Sequence, residues 1–161
     1  MNYEAIKTYD VLNGYGIRVT IFFTGCTHMC KGCFNSEIWD FSKGKTFNES
    51  AKQIIFDNLS KPQIKGLSIL GGEPLQQDHQ EMLNFIKEVK EKFPTKDIWL
   101  WSGYYFKELD DEKKEIINLC DYFVDGRFIQ DKASKKLLFR GSSNQTIYKK
   151  NSDGEWKPLE A

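Results

Sequence analysis

The sequence predicts an α/β fold: a partial, open (β/α) barrel of about five to six mostly parallel strands, in a single domain. Three observations lead there. Short runs rich in β-branched and aromatic residues alternate with segments of helical periodicity, the pattern of repeated βαβ units. The chain has 161 residues, whereas a closed eight-stranded barrel takes ~250, so the arc is expected to stay open on one side. Four of the runs end in loops containing glycine, and such folds gather those loops on one rim, at the C-terminal ends of the strands.

The elements follow in order. IRVTIFF (Ile17–Phe23) reads as a strand that runs directly into a cysteine-rich loop. Residues 48–59 place Ala51, Ile54, Ile55 and Leu59 on one helical face, with Asn48 as N-cap. Residues 65–70 are a second strand, cut off by GGEP. From 78 to 93, Met82, Leu83, Phe85, Ile86, Val89 and Phe93 recur at helical spacing, and Pro94 stops the helix. DIWLW (Asp97–Trp101) is a third strand, broken by Ser102 and Gly103. A helix over about 106–119 precedes a fourth strand, Tyr122–Asp125, which Gly126 ends. Residues 145–149 are read as a last strand. The polar segment 151–161, apolar only at Trp156, is expected to be mobile or to help bind a partner.

Composition narrows the function. Hydrophobic residues make up 40% of the chain, enough for a real core. The 23 basic side chains balance 23 acidic ones, which argues against a protein that holds nucleic acid mainly through phosphates. The basic stretch at 135–140, KKLLFR, therefore reads as a solvated face. The first ten residues show no basic region followed by a long apolar stretch, so no secretory signal is visible. Apolar runs fall far short of the ~20 residues of a membrane span. A soluble, cytoplasmic chain is expected, with its thiols kept reduced.

That placement governs how GCTHMCKGCFN, residues 25–35, is read. It packs Cys26, Cys30 and Cys33 into C-x3-C-x2-C spacing. Disulfide staples do not suit a reduced compartment, and Cys120, far from the others, reads as a buried hydrophobe. Structural zinc wants four ligands. His28 or Cys120 would have to supply the fourth, and the second paired knuckle of a zinc ribbon is missing. A zinc-binding interaction module stays open on those terms. A [4Fe–4S] cube normally takes four thiolates; with three, one iron keeps an open position, which a catalytic metal needs.

The three-cysteine spacing after a first strand resembles the radical S-adenosylmethionine (SAM) superfamily, and Cys26, Cys30 and Cys33 match its motif residue for residue. In that superfamily the amino and carboxylate groups of SAM chelate the open iron. GGEP (Gly71, Gly72, Glu73, Pro74) stands where the superfamily carries a glycine-rich motif for SAM's amino group. Many members have an aromatic residue just before the third cysteine; here it is Gly32, so the backbone of Gly32, Cys33 and Phe34 is expected against the adenine, with Phe34 as the ring.

The order of further motifs resembles the glycyl-radical-enzyme activases, specifically those of anaerobic ribonucleoside-triphosphate reductase. NGYGIRVTIFFTGC (13–26), CKGCFN (30–35), GGEPL (71–75), DYFVDGRF (121–128) and FRGSSNQ (139–145) carry this likeness over about 9–149. The resemblance implies an oxidoreductase. A flavodoxin- or ferredoxin-type donor reduces the cluster, and SAM is split to methionine and a 5′-deoxyadenosyl radical. That radical takes a hydrogen atom from a glycine of the reductase large subunit.

It also implies that Asp125 and Arg127 position SAM's carboxylate or ribose and that Ser102 and Gly103 contact the ribose. Asn35, Trp39 and Asp40 belong to the same likeness, and Arg18 acts near the cluster or in a structural ion pair. No catalytic residue is needed beyond the cluster and SAM, because the cofactors carry the chemistry. The alternative within the superfamily is an enzyme acting on a small molecule.

Overall fold

The computed structural model describes residues 1–159. Eight strands make one sheet: β1 (Asn2–Asp10), β2 (Ile17–Phe23), β3 (Lys45–Thr46), β4 (Ile64–Gly71), β5 (Asp97–Trp101), β6 (Tyr122–Asp125), β7 (Thr146–Lys150) and β8 (Trp156–Pro158). Their spatial order is β3-β1-β2-β4-β5-β6-β7-β8.

This corrects the expected fold. Neighbours β2-β4-β5-β6 are parallel, but the other four of the seven pairings are antiparallel. The molecule is a mixed eight-stranded sheet, not a five- to six-stranded, mostly parallel partial barrel. The reason is local: the short turn over residues 11–16 folds β1 back on β2 as a hairpin, a connection only antiparallel strands permit. At the far side, β7 and β8 add two more antiparallel neighbours.

Three helices are found among the described residues: α1 (Glu49–Leu59), α2 (His79–Lys92) and α3 (Asp111–Ile117). Each begins at a side-chain cap. Asn48, Asp78 and Asp110 accept from the amides of Ala51, Glu81 and Lys113, satisfying a donor the first turn leaves open. Asp110 is why α3 starts later than expected, for Phe106–Glu108 is a separate 3-10 turn before the cap. In α1, Ile54 is exposed although its spacing placed it on the inner face, and Phe56 is buried beside Ala51, Ile55 and Leu59 instead. No helix among the described residues is long and apolar enough to cross a membrane.

Alternation along the strands gives the sheet two different faces. Val19, Ile21 and Phe23 of β2, Leu67 and Ile69 of β4, Ile98 and Leu100 of β5, and Phe123 of β6 join the helices in the main core. The intervening residues face the other way. Trp99 and Val124 form a second, small cluster with Ile147, packed against Trp101, Tyr122 and Phe139. Among the described residues none of α1, α2 and α3 joins that cluster; the 11–16 turn and the long β6–β7 segment lie over it, as the contacts of Tyr15 and Phe139 with Trp99 show. The trough between sheet and loops is where the site forms. Residues 151–159 include β8, which pairs with β7 through Trp156, Lys157 and Pro158; Glu160 and Ala161 of the predicted tail lie outside the described residues.

Candidate functional site

The loops after β2, β4, β5 and β6 converge on a cavity of about 410 Å³, within the ~300–1,000 Å³ usual for small-ligand sites. Cys26, Cys30 and Cys33 all line it. They are half-buried. Desolvation pushes the Cys26 thiol up to about 11, with the His28 amide acting against that rise. Desolvation raises Cys30 too, and the amide of Phe128, from beyond β6, works the other way. The Asn35 amide donates to Cys33 Sγ at 3.4 Å. Each sulfur thus has a backbone N–H near it, although at Cys26 and Cys30 desolvation outweighs that bond. Among the described residues no three His, Cys, Asp or Glu side chains are gathered closely enough to grip a single metal ion.

GGEP lies against the base of this loop. Gly71 has φ +156°, and a Cβ there would strike the Phe23 carbonyl oxygen. A Cβ on Gly72 would come within 2.6 Å of the Gly25 carbonyl oxygen. The glycines are therefore required by chain passing chain, and both still line the cavity. The Glu73 amide closes the contact by donating to the Gly25 carbonyl at 2.7 Å.

Glu73 does not line the cavity; its carboxylate is fully buried behind it. Oε1 lies 2.7 Å from His28 Nε2 and accepts from Gly103 N–H at 2.7 Å and Ser102 Oγ at 3.1 Å, while Oε2 accepts from Leu75 N–H at 2.9 Å. One carboxylate thereby fastens the cysteine loop, the GGEP loop and the Ser102–Gly103 loop together. His28 packs edge-on against Tyr104 at 4.7 Å, and a Cβ on Gly103 would meet its ring at 2.6 Å.

Of the other predicted contacts, Phe34, Ser102 and Gly103 line the cavity. Phe34 is exposed and meets Phe128 at 5.1 Å between ring centroids. Asn35 lines it as well, and its Nδ2 donates to the Gly71 carbonyl. Trp39 lines it and accepts the Cys26 amide at its carbonyl. Gly32 sits outside, against the Gln130 side chain. Asp125 is buried, its oxygens taking the amides of Phe106 and Thr146; burial pushes its carboxyl up and those amides pull it back. Arg127 pairs with both oxygens of Glu108, at 2.9 and 3.0 Å. Asp40 closes a local turn onto Ser42. Arg18 is fully buried in an ion pair with Asp97.

Residues 12–148 match the family described as a 4Fe-4S single cluster domain. Curated relatives named anaerobic ribonucleoside-triphosphate reductase-activating protein align along nearly their whole length. The one from Haemophilus influenzae is 43% identical, covering 92% of this chain and 98% of its own. That from enterobacteria phage T4 is 41% identical, at 98% and 99% coverage, and that from Escherichia coli K12 is 37% identical, at 92% and 98%. The chain belongs to this family of reductase-activating proteins.

Within this activating-protein chain the cavity also holds residues that sequence reasoning left without a role: Leu12, Asn13, Trp101, Phe128, Phe139 and Gln145. Asn13, Phe128, Phe139 and Gln145 were visible as motif only, at 13–26, 121–128 and 139–145, Trp101 only as the end of a strand, and Leu12 not at all. What those motifs did not convey is that the β6–β7 segment folds back over the trough, where Trp101 Nε1 donates to the Phe139 carbonyl at 2.8 Å.

Proposed function

We propose that this chain holds a [4Fe–4S] cluster on Cys26, Cys30 and Cys33, leaving one iron for SAM, and activates an anaerobic ribonucleoside-triphosphate reductase. The observation that carries the reading is the convergence of three thiols from one loop with the Gly71–Gly72 backbone and the Ser102–Gly103 loop on a single cavity. The donor set fits the group: soft thiolates suit iron–sulfur clusters, and each sulfur meets an amide. A single zinc, at about 2.3 Å from each ligand sulfur, would need a tighter set than the described side chains form. When held on the three cysteines, the cluster would supply the single electron for reductive cleavage of SAM to methionine and the radical that would take a hydrogen atom from a glycine of the reductase.

The protein's own residues bind, orient and exclude water. Gly71 and Gly72 line the cavity, where their backbone would accept from an ammonium group. Ser102 and Gly103 offer polar backbone at the cavity wall, and Phe34 offers a ring at the mouth for the adenine. Trp101 and Phe139 keep water from the reacting centre, where placement of the reacting carbon against the partner's glycine governs the rate. Glu73, Asp125 and Arg127 act from behind, holding the loops that touch the ligand. A flavodoxin- or ferredoxin-type protein is the proposed electron donor.

Electron paramagnetic resonance of the anaerobically reconstituted, dithionite-reduced protein tests the reading. A reduced-cluster signal that changes shape on adding SAM is expected, followed by a glycyl radical signal once the reductase large subunit is present. A cluster-loaded protein that consumes SAM yet never yields that radical would point to a small-molecule substrate instead.

A further inference from the structure

The end of β1 and the turn joining it to β2 carry apolar side chains that stay exposed. Tyr9, Val11, Leu12 and Tyr15 are 69%, 55%, 71% and 41% exposed. Among the described residues ten large hydrophobics are exposed, and four of them fall within these seven positions. Connecting turns are ordinarily polar, and clustered exposed apolar groups mark interaction surfaces.

The turn is nevertheless held in one shape. The Asp10 carboxylate, almost fully buried, accepts from Leu12 N–H at 2.9 Å, Asn13 Nδ2 at 2.7 Å and Thr20 Oγ1 at 2.6 Å. Ser68 Oγ donates to the Asn13 carbonyl at 2.6 Å, and Arg18 Nη1 donates to the Tyr15 carbonyl at 2.9 Å. One edge of the Tyr15 ring packs on Trp99 and Phe139. A braced apolar protrusion meets a partner without first losing conformational freedom.

Two features say what kind of partner. Leu12 and Asn13 line the same cavity as the cysteines, so the patch and the cavity are one continuous surface. Positions 8–16 contain no lysine or arginine and only the buried Asp10 as an acid. With Lys7 and Lys65 beside them, the patch still lacks the basic cluster that phosphates or an anionic membrane require. A small substrate needs no docking surface beside its cavity, whereas a protein substrate does, since it must deliver a piece of its own chain. We infer that the Tyr9–Tyr15 turn is where the reductase polypeptide docks, an apolar surface of the partner seating on Tyr9, Val11 and Leu12 while its reacting segment enters the trough past Leu12. The turn lies before the start of strand β2 and the cysteines beyond its end, with the shared cavity between them. The entering segment therefore runs lengthwise along the trough. This rests on the activase reading above.

The test uses the cluster-loaded full chain carrying Tyr9→Asp and Val11→Asp, two exposed side chains that neither line the cavity nor brace the turn. It measures affinity for the reductase large subunit of the same source organism, SAM cleavage without that subunit, and self-association. At least a tenfold weaker affinity is expected, with reductase-independent 5′-deoxyadenosine formation unchanged. Ile54→Asp, on the helix side, should leave the affinity as it was. An unchanged affinity in the double variant overturns the docking site and leaves the activase reading standing. So does an equal loss with Ile54→Asp, or a loss that follows entirely from disrupting contact between two copies of this chain. If the unmodified chain neither binds the subunit nor produces its radical, the activase reading itself falls.

Discussion

The two faces of the sheet are made from alternate residues of the same strands, yet they are held by different physics. The helix side is apolar throughout: Val19, Ile21, Leu67, Ile69, Ile98, Leu100 and Phe123 meet Phe85, Ile86, Val89 and Ile55 with no exposed surface. The trough side buries polar groups among aromatic ones. Arg18 donates through Nε to Ser68 Oγ and through Nη2 to the Leu67 carbonyl and Asp97, and its guanidinium lies 5.7 Å from the Trp99 ring centroid. Trp99 stacks on Tyr122 at 4.2 Å and on Trp101 at 5.4 Å. Burial without direction suffices to keep a fold, while a cavity lined by loops needs directed bonds to keep its shape.

If that division is real, stability and cluster binding separate by face. The largest effects make the sharpest test. Phe85→Ala should cost about 3–5 kcal/mol in denaturant unfolding of the cluster-free chain. Cys30→Ala should cost under about 0.5 kcal/mol there, while abolishing iron incorporation and the cluster's visible absorbance. Variants that both damage both readouts would break the comparison.

Next comes Arg18→Met, expected to cost about 3 kcal/mol, because Asp97 is left mostly buried without its cation. Adding Asp97→Asn should recover most of that loss, which unfolding of the double variant measures. Glu73→Gln is smaller, about 1–3 kcal/mol. Its more telling readout is hydrogen exchange, where the amides of Leu75 and Gly103 should lose protection together. Independent behaviour of the two amides would deny that one carboxylate ties the loops.

The smallest effect is a pH dependence. Burial works to raise the Asp10 carboxyl, but bonds from Thr20, Asn13 and the Leu12 amide outweigh it and hold the group below its ordinary value of 3.8. A depressed carboxyl stabilises the fold above its unfolded-state pKa, and that contribution fades as pH falls through 3.8 toward the folded value. Asp10→Asn should therefore flatten the acid limb of stability against pH below about 5. An unchanged limb would remove Asp10 as the brace of the turn.

What the sequence made legible follows the same division. Strands Asp97–Trp101 and Tyr122–Asp125 lie where their aromatic and β-branched runs placed them. The α2 stripe is buried as its periodicity required. Those signals are local. β1 was not visible, because NYEAIKTYD has no clean alternation and becomes a strand only against the edge β2 offers. Missing it, together with β3 and β8, turned a mixed sheet into an expected parallel arc. At the site, the clustering of the cysteines is already in their spacing, whereas the buried post of Glu73, expected among the SAM contacts, is not: its partners come from residues 28, 75, 102 and 103, which only the fold assembles. Gly71 and Gly72 were read as making room for a ligand, but the nearest demand on them is the passage of Phe23 and Gly25.

The sheet ends on one side in the two residues of β3 and on the other in the three of β8. Both borders are short, and they carry Lys45, Lys157 and Pro158, the residues that discourage a further strand from pairing on. Stacking of this protein into ribbons through its backbone is thereby disfavoured at either border, even when it is concentrated and free of its cluster. Any neighbour it acquires has to be recognised by side chains.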